Sequence, residues 1–223
     1  IQDKCDEKKS KLYALGETFF CIYGDSSSTG ERFSFRSPFT ELTDLFIEMK
    51  GRHQVHNASV ALMTVDYMKQ YDALVLEEEE IREGLKKASW PGRFEEVSRT
   101  PHIILDGAHN PEGMQSLADT VERFYNDKEI RILFAALRNK NIEAMLRPLR
   151  KLTEKITFTS FPFARAASVE CLSERADFHA RGAEPDWKQA VEMVTADAGE
   201  NTVVIVTGSL YFISQVRNHF RDH

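Results

Sequence analysis

Asp106-Gly107-Ala108-His109-Asn110-Pro111 places an acid and an imidazole three residues apart, directly behind the β-prone run His102-Ile103-Ile104-Leu105. A strand, a glycine turn, then Asn and Pro ahead of a helical pattern read as strand, tight loop and helix start. Asn110 is the expected N-cap, Pro111 the first helical residue, and Glu112 lies in the first turn, where the helix dipole favours negative charge. Such a loop sits at the carboxyl end of a strand, the edge at which open α/β sheets bind ligands. There Asp106 could accept from sugar hydroxyls or hold a water, and His109 could touch a ligand. The competing readings are a turn residue that ends a strand and a capping or packing histidine. Both side chains are expected to face the crevice.

Thr207-Gly208-Ser209 is a second loop of this kind, after the apolar strand Val203-Val204-Ile205-Val206 and before a helix. Free backbone N–H groups and two hydroxyls at a helix N-terminus suit a carboxylate or phosphate, unless Ser209 merely caps the turn. Arg93 lies in a Pro-Gly-Arg turn, where a guanidinium could reach a phosphoryl group; otherwise it is a surface arginine in a linker. Gln54 and Asn57 each offer a donor and an acceptor, which reading an adenine edge requires, although helix capping would occupy them equally well. His53 and His56 are three apart, but no third ligand has suitable spacing, so no metal site is expected. The G-x-G-x-x-G, G-x-S-x-G and G-x-x-x-x-G-K-[ST] patterns are all missing from these 223 residues. They offer no obvious place to hold a nucleotide triphosphate unaided.

The elements that must carry these residues follow in order. Glu17 to Tyr23 and Glu31 to Arg36 are aromatic-rich runs around the polar loop Gly24 to Gly30 and predict a β-hairpin. Leu42 to Met49 adds a short strand. From His53 to about Tyr71, apolar residues at spacings of three and four predict a helix. Glu77-Glu78-Glu79-Glu80 opens another, with Ile81, Leu85 and Ala88 as its buried stripe, and Trp90-Pro91-Gly92-Arg93 breaks it and ends a first domain. Strands at Ile103 to Asp106, Ile130 to Ala135, Lys155 to Ser160 and Thr202 to Thr207 then alternate with helices. Those helices are expected at Pro111 to Tyr125, Ile142 to Leu152, Val169 to Arg175 and Asp186 to Ala196, with a last one at Leu210 to Phe220. The alternation predicts right-handed βαβ units on a mainly parallel, Rossmann-like sheet with flanking helices, an α/β fold.

With 42% hydrophobic residues the chain can bury a sizeable core, and its net charge of −6 gives no general drive toward nucleic acid or anionic membranes. Neither is expected as a partner. No apolar run approaches the roughly 20 residues that span a bilayer. Three widely spaced cysteines, Cys5, Cys21 and Cys171, form neither a disulfide framework nor a zinc site and fit a reducing cytoplasm. The start at Ile1, without an initiator Met, reads as an internal cut.

Taken together, Gly51-Arg52-His53-Gln54-Val55-His56-Asn57-Ala58, Pro91-Gly92-Arg93-Phe94-Glu95, Leu105 to Pro111 and Thr207 to Ser214 resemble the successive motifs of folylpolyglutamate synthase and its bifunctional relative dihydrofolate synthase, in the Mur ligase superfamily. The resemblance covers nearly all of the chain from Gly51. It implies that residues 1–90 are the C-terminal part of an ATPase domain, an α+β remnant, and residues 91–223 a complete Rossmann-like C-terminal domain. The P-loop, the magnesium ligands and a carbamylated lysine would lie upstream of Ile1, so the fragment alone is expected to be inactive.

Residue by residue, the resemblance implies that Gln54 and Asn57 contact adenine with His53 beside them, and that Arg93 reaches the ATP phosphates. It puts Asp106 at the ribose across an interdomain cleft, and His109 and Ser209 at the incoming glutamate. The implied activity uses ATP and Mg2+ to add L-glutamate to a reduced folate or dihydropteroate through an acyl phosphate, in a cytoplasmic monomer. Phe163-Ala164-Arg165-Ala166-Ala167 departs from the family's Pro-Arg-Ala segment, and Ala135-Ala136-Leu137-Arg138-Asn139-Lys140-Asn141 departs from its Gly-x-x-x-Asp-Lys-Asp segment. The alternatives are a Mur-type peptidoglycan amino-acid ligase and a non-catalytic nucleotide- or amino-acid-binding module.

Overall fold

A computed structural model describes residues 1–25 and 29–221, so Ser26 to Ser28 of the expected hairpin loop lie outside the described residues. Within it the chain divides into two compact units, Ile1–Ser89 and Trp90–His223.

Unit 1 contains α1 (Gln2–Lys8), β1 (Phe20–Tyr23), β2 (Glu31–Arg36), β3 (Glu41–Ile47), α2 (Arg52–Gln70) and α3 (Glu78–Lys87). The strands form an antiparallel sheet in the order β1-β2-β3. Phe33 and Phe35 of β2, with Leu42, Leu45 and Ile47 of β3, turn inward against Val55, Leu62 and Met63 of α2. The hairpin and the third strand are as the alternation predicts. The first strand is shorter, because Thr18 Oγ1 accepts from Ala14 N at 2.6 Å and Gly16 N donates to Phe19 O, which folds residues 14–19 into a turn.

The helix predicted from His53 starts at Arg52. In α3 the glutamate run builds a capping box between Glu77 and Glu80 and leaves acids in the first turn, as the dipole favours. The stripe predicted for this helix is corrected: Ile81 and Leu85 are only half-buried and Ala88 is an exposed C-cap. α1 was not predicted; it buries no residue, so no apolar periodicity marks it.

Unit 2 contains β4 (Glu95–Arg99), β5 (His102–Asp106), α4 (Pro111–Tyr125), β6 (Glu129–Phe134), α5 (Ile142–Leu152), β7 (Ile156–Ser160), α6 (Val169–Arg175), β8 (Gly182–Asp186), α7 (Trp187–Thr195), β9 (Thr202–Thr207) and α8 (Leu210–Arg221). Its six strands run in the order β4-β5-β9-β6-β7-β8, all neighbours parallel except β4 against β5. The α/β reading holds. The two strands missing from the sequence reading are the edges. β4 is short and charged with a register shift between Glu96 and Ser98, and β8 contains Pro185, a residue tolerated in a sheet only where no partner needs its N–H.

Every residue of β9 is buried, as expected of a strand covered on both faces. Val203 and Ile205 pack with α4, α5 and α6, whereas Val204 and Val206 pack with α7 and α8. β5 and β6 therefore exit at their carboxyl ends toward one layer of helices, and β9, lying between them, exits toward the other. Loops that diverge to opposite faces open a crevice at the strand ends.

Truncating the centre of this sandwich should be costly. Ile205→Ala is expected to lower unfolding stability by about 2–5 kcal/mol, and exposed Val60→Ala by under about 0.5 kcal/mol, as read by urea denaturation.

Candidate functional site at the carboxyl edge of the unit 2 sheet

Parallel register sets Asp106, Thr207 and Phe134 side by side where β5, β9 and β6 end. The loop after β5 forms as the sequence predicts: Asn110 caps α4, accepting from Gly113 N at 2.7 Å, and Pro111 opens the helix. Asp106 does not face the crevice as expected. It is 6% exposed; Oδ1 accepts from Ala108 N at 2.8 Å and Oδ2 from Phe94 N at 2.9 Å. One carboxylate thus bends its own loop and also ties it to the segment before β4.

That segment is fastened at further points. Gly107 N donates to Gly92 O at 2.8 Å, and Gly92 N donates to Glu95 Oε2 at 2.7 Å. Glu95 is in turn held by Arg217 Nε of α8 at 2.8 and 2.9 Å. The glycines are closely packed: a Cβ on Gly107 would stand 2.4 Å from Leu210 Cδ2 and 3.2 Å from Gly92 O, and one on Gly92, whose φ of +71° already disfavours a side chain, 2.6 Å from Ile213 Cδ1, so each would displace a side-chain tip. Phe94 itself has φ 49°, a left-handed conformation uncommon for an aromatic residue and held here by Asp106 and the core. The outcome is a fixed turn that presents Arg93 half-exposed.

Burial pushes the Asp106 carboxyl up to about 6; the Ala108 and Phe94 N–H groups oppose the shift, as do the positive fields of Arg93 and His109. Both residues lie close enough to act on the Asp106 carboxyl, so Arg93, Asp106 and His109 gather at one place. His109 is half-buried, and its Nδ1 lies 2.9 Å from Gly107 O. A carbonyl oxygen only accepts, so Nδ1 carries the proton of that bond and Nε2 remains for a ligand. Opposite, Gly208 N donates to Ala108 O at 3.2 Å, which joins the β9 loop to the β5 loop. A Cβ on Gly208, φ +113°, would meet Ala135 O at 2.3 Å. Ser209 is 2% exposed, and the hydroxyl of Thr207 is buried with no partner among the described residues.

Sequence reasoning assigned no function to the cationic side of this edge. Residues 135–141 and 161–168 carry Arg138, Lys140 and Arg165 and no acid. The two loops are tied by Arg138 N to Arg165 O at 3.0 Å and Ala167 N to Ala136 O at 2.9 Å, and Arg175 donates to the carbonyls of Arg138 and Lys140. The absence of acids was legible in the sequence, but the pairing of two loops more than twenty residues apart was not.

Unit 1 holds the other predicted residues on the first turns of α2. Gly51, not a side chain, is the N-cap, so the capping alternative for Gln54 and Asn57 is set aside. Asn57 Nδ2 donates to Gln54 Oε1 at 3.1 Å. The pair still has a free amide donor on Gln54 and a free carbonyl acceptor on Asn57, which matches the acceptor and donor on the Watson–Crick edge of adenine. Buried Glu31 receives Gly51 N at 3.0 Å and steadies this helix start. Among the described residues no group of three His, Cys, Asp or Glu side chains is placed to hold a metal ion.

Fold and site define unit 2 as a Rossmann-like domain whose carboxyl edge gathers Arg93, Asp106 and His109 on rigid loops. The family described as "Mur ligase, glutamate ligase domain" matches residues 92–210, and the chain belongs to it. A dihydrofolate synthase/folylpolyglutamate synthase of Bacillus subtilis is 29% identical over 221 residues, covering 99% of this chain and 51% of that protein. The crystal structure of a folylpolyglutamate synthase from Thermotoga maritima superposes with a TM-score of 0.78 at 31% identity, over 99% of this chain and 50% of the other. A bifunctional folylpolyglutamate synthase/dihydrofolate synthase crystallised with Mn, AMPPNP and L-glutamate gives 0.83 at 28%, over 99% and 50%. The chain spans about half the length of the relatives it matches.

A pH test isolates Asp106. Its folded pKa, about 6, exceeds the ordinary 3.8, so the folded state binds this proton more tightly than the unfolded chain. Its contribution to stability is therefore greatest at low pH and falls by about 3 kcal/mol as pH rises from about 4 to about 6, then levels off. Asp106→Asn abolishes this titration, so the stability difference between wild type and variant should change by that amount between pH 4 and 7. Urea unfolding followed by fluorescence of Trp90 and Trp187, both in unit 2, measures it. A pH-independent difference contradicts the assignment.

Proposed function

We propose that this chain is part of an ATP-dependent ligase that adds L-glutamate to folates, a folylpolyglutamate synthase with or without dihydrofolate synthase activity. The observation that carries the reading is the convergence of Arg93, Asp106 and His109 on one pinned carboxyl edge, in a chain of the glutamate ligase domain family. The relatives' names and the nucleotide and glutamate bound in one neighbour support the same reading. Residues 1–90 belong in this account to the end of an ATPase domain and residues 91–223 to the C-terminal domain.

In this reading a folate carboxylate oxygen receives the terminal phosphoryl group of ATP, releasing ADP and leaving an acyl phosphate. The amine of glutamate then attacks the acyl carbon, the C–N bond forms, and inorganic phosphate departs. Gln54 and Asn57 take the adenine edge, with His53 beside them. Arg93 neutralises phosphoryl charge. Asp106, turned inward onto Phe94 N and Ala108 N, holds the Arg93 turn and the His109 loop in place rather than touching the ribose. His109 Nε2 accepts a proton from the glutamate ammonium, and Ser209, in the loop after β9, helps place the glutamate. Positioning and charge stabilisation supply the catalysis. Mg2+, whose ligands this reading assigns outside these 223 residues, supplies further charge neutralisation when bound. We read the protein as a cytoplasmic monomer. Three free cysteines suit a reducing compartment, no described helix is long and apolar enough to cross a membrane, and neither nucleic acid nor membrane is a partner in this reading.

The test is ADP release by the full-length protein given ATP, Mg2+, L-glutamate and either a reduced folate or dihydropteroate. ADP should appear only when glutamate and a pterin acceptor are both present. Arg93→Ala and His109→Ala should each lower kcat by about a hundredfold with unfolding stability within about 0.5 kcal/mol of wild type. No ADP with either acceptor, from protein that binds ATP, overturns the reading.

A further inference from the structure

At the amino edge of the unit 2 sheet, away from the loops described above, two neighbouring cavities of about 380 and 710 Å³ open. Lys155, one residue before β7, and Arg181, one residue before β8, line both. The smaller cavity is electrically settled. Glu129 meets Lys155 at 2.6 Å and Arg131 at 2.7 Å, and Asp197 meets Arg131, so both carboxyls are held below their ordinary range by those cations.

The larger cavity is not settled. Arg150 of α5 lies with its guanidinium 4.5 Å from the centre of the Phe178 ring, and neither it nor Arg181 meets a carboxylate among the described residues. Glu154 is the one acid among the described residues that line this cavity, beside Arg150 and Arg181; Lys155, which also lines it, is already paired with Glu129. Like charges gathered around one space repel unless an anion enters it. Guanidinium forks match the paired oxygens of a phosphoryl group, and the stacking of Arg150 on Phe178 reduces the freedom lost on binding.

We propose that this amino-edge cavity binds a dianionic phosphoryl group, held by Arg150 and Arg181. The five residues of β7 separate it from the carboxyl edge by about 17 Å. It is therefore a second site, whatever substrate the first one takes.

The experiment titrates inorganic phosphate, and in a parallel arm glycerol 3-phosphate, into the 15N-labelled 223-residue chain at ionic strength held constant with sodium chloride. Saturable shifts are expected in the amides of residues 150–155 and 178–182. Arg150→Gln with Arg181→Gln should weaken binding tenfold or more, and Arg181→Gln alone by a smaller factor, so the test survives if the double variant fails to fold. Arg147→Gln, a residue paired with Glu143 at 3.1 Å, should leave binding unchanged. Tighter binding in one arm identifies the free ion or the ester as the source. Shifts that never saturate, that saturate only at residues 106–111 and 207–211, or that survive the Arg181 substitution overturn the proposal.

Discussion

A buried carboxylate accepting two backbone N–H groups from two different loops is the constraint on which the carboxyl edge depends. Asp106 closes the turn that carries His109 and fixes Phe94, and through Phe94 it fixes the turn that carries Arg93. Burying an ionised carboxyl is costly, and the two N–H bonds offset only part of that cost, so the group is held near a pKa of 6. A side chain with one acceptor could not satisfy both N–H groups. Glu95, Arg217 and the crowded glycines then leave the two turns little freedom, and a site that relies on positioning needs such rigidity.

Sheet topology explains why those loops surround an opening. Because β9 lies between β5 and β6 while its helix packs on the other face, the loop at Gly208 diverges from both neighbours. The close approach of Gly208 to Ala135 O and its bond to Ala108 O then set the width of that opening. In unit 1 the same economy appears on a smaller scale: the Gln54–Asn57 bond uses one donor and one acceptor and orients what remains.

Much of this was legible in the sequence because it depends on local signals. Helix starts at Asn110 and the glutamate run, the alternating β2, and the fully apolar β9 announce themselves through caps and periodicity. The elements that escaped lack such signals: α1 buries nothing, β4 is charged, and β8 contains a proline. The inward turn of Asp106 was also hidden, since its second partner, Phe94, is twelve residues away and adopts a backbone conformation that propensity disfavours. Motif resemblance singled out the candidate residues, whereas the bonds that hold them were visible only in three dimensions.

Hydrogen exchange at two amides tests the central claim most directly. If one carboxylate pins both loops, the amides of Phe94 and Ala108 exchange slowly and together in the wild type, and Asp106→Ala speeds both by a common factor while residues of β9 stay protected. Independent exchange of the two amides, or protection unchanged in the variant, would contradict the account.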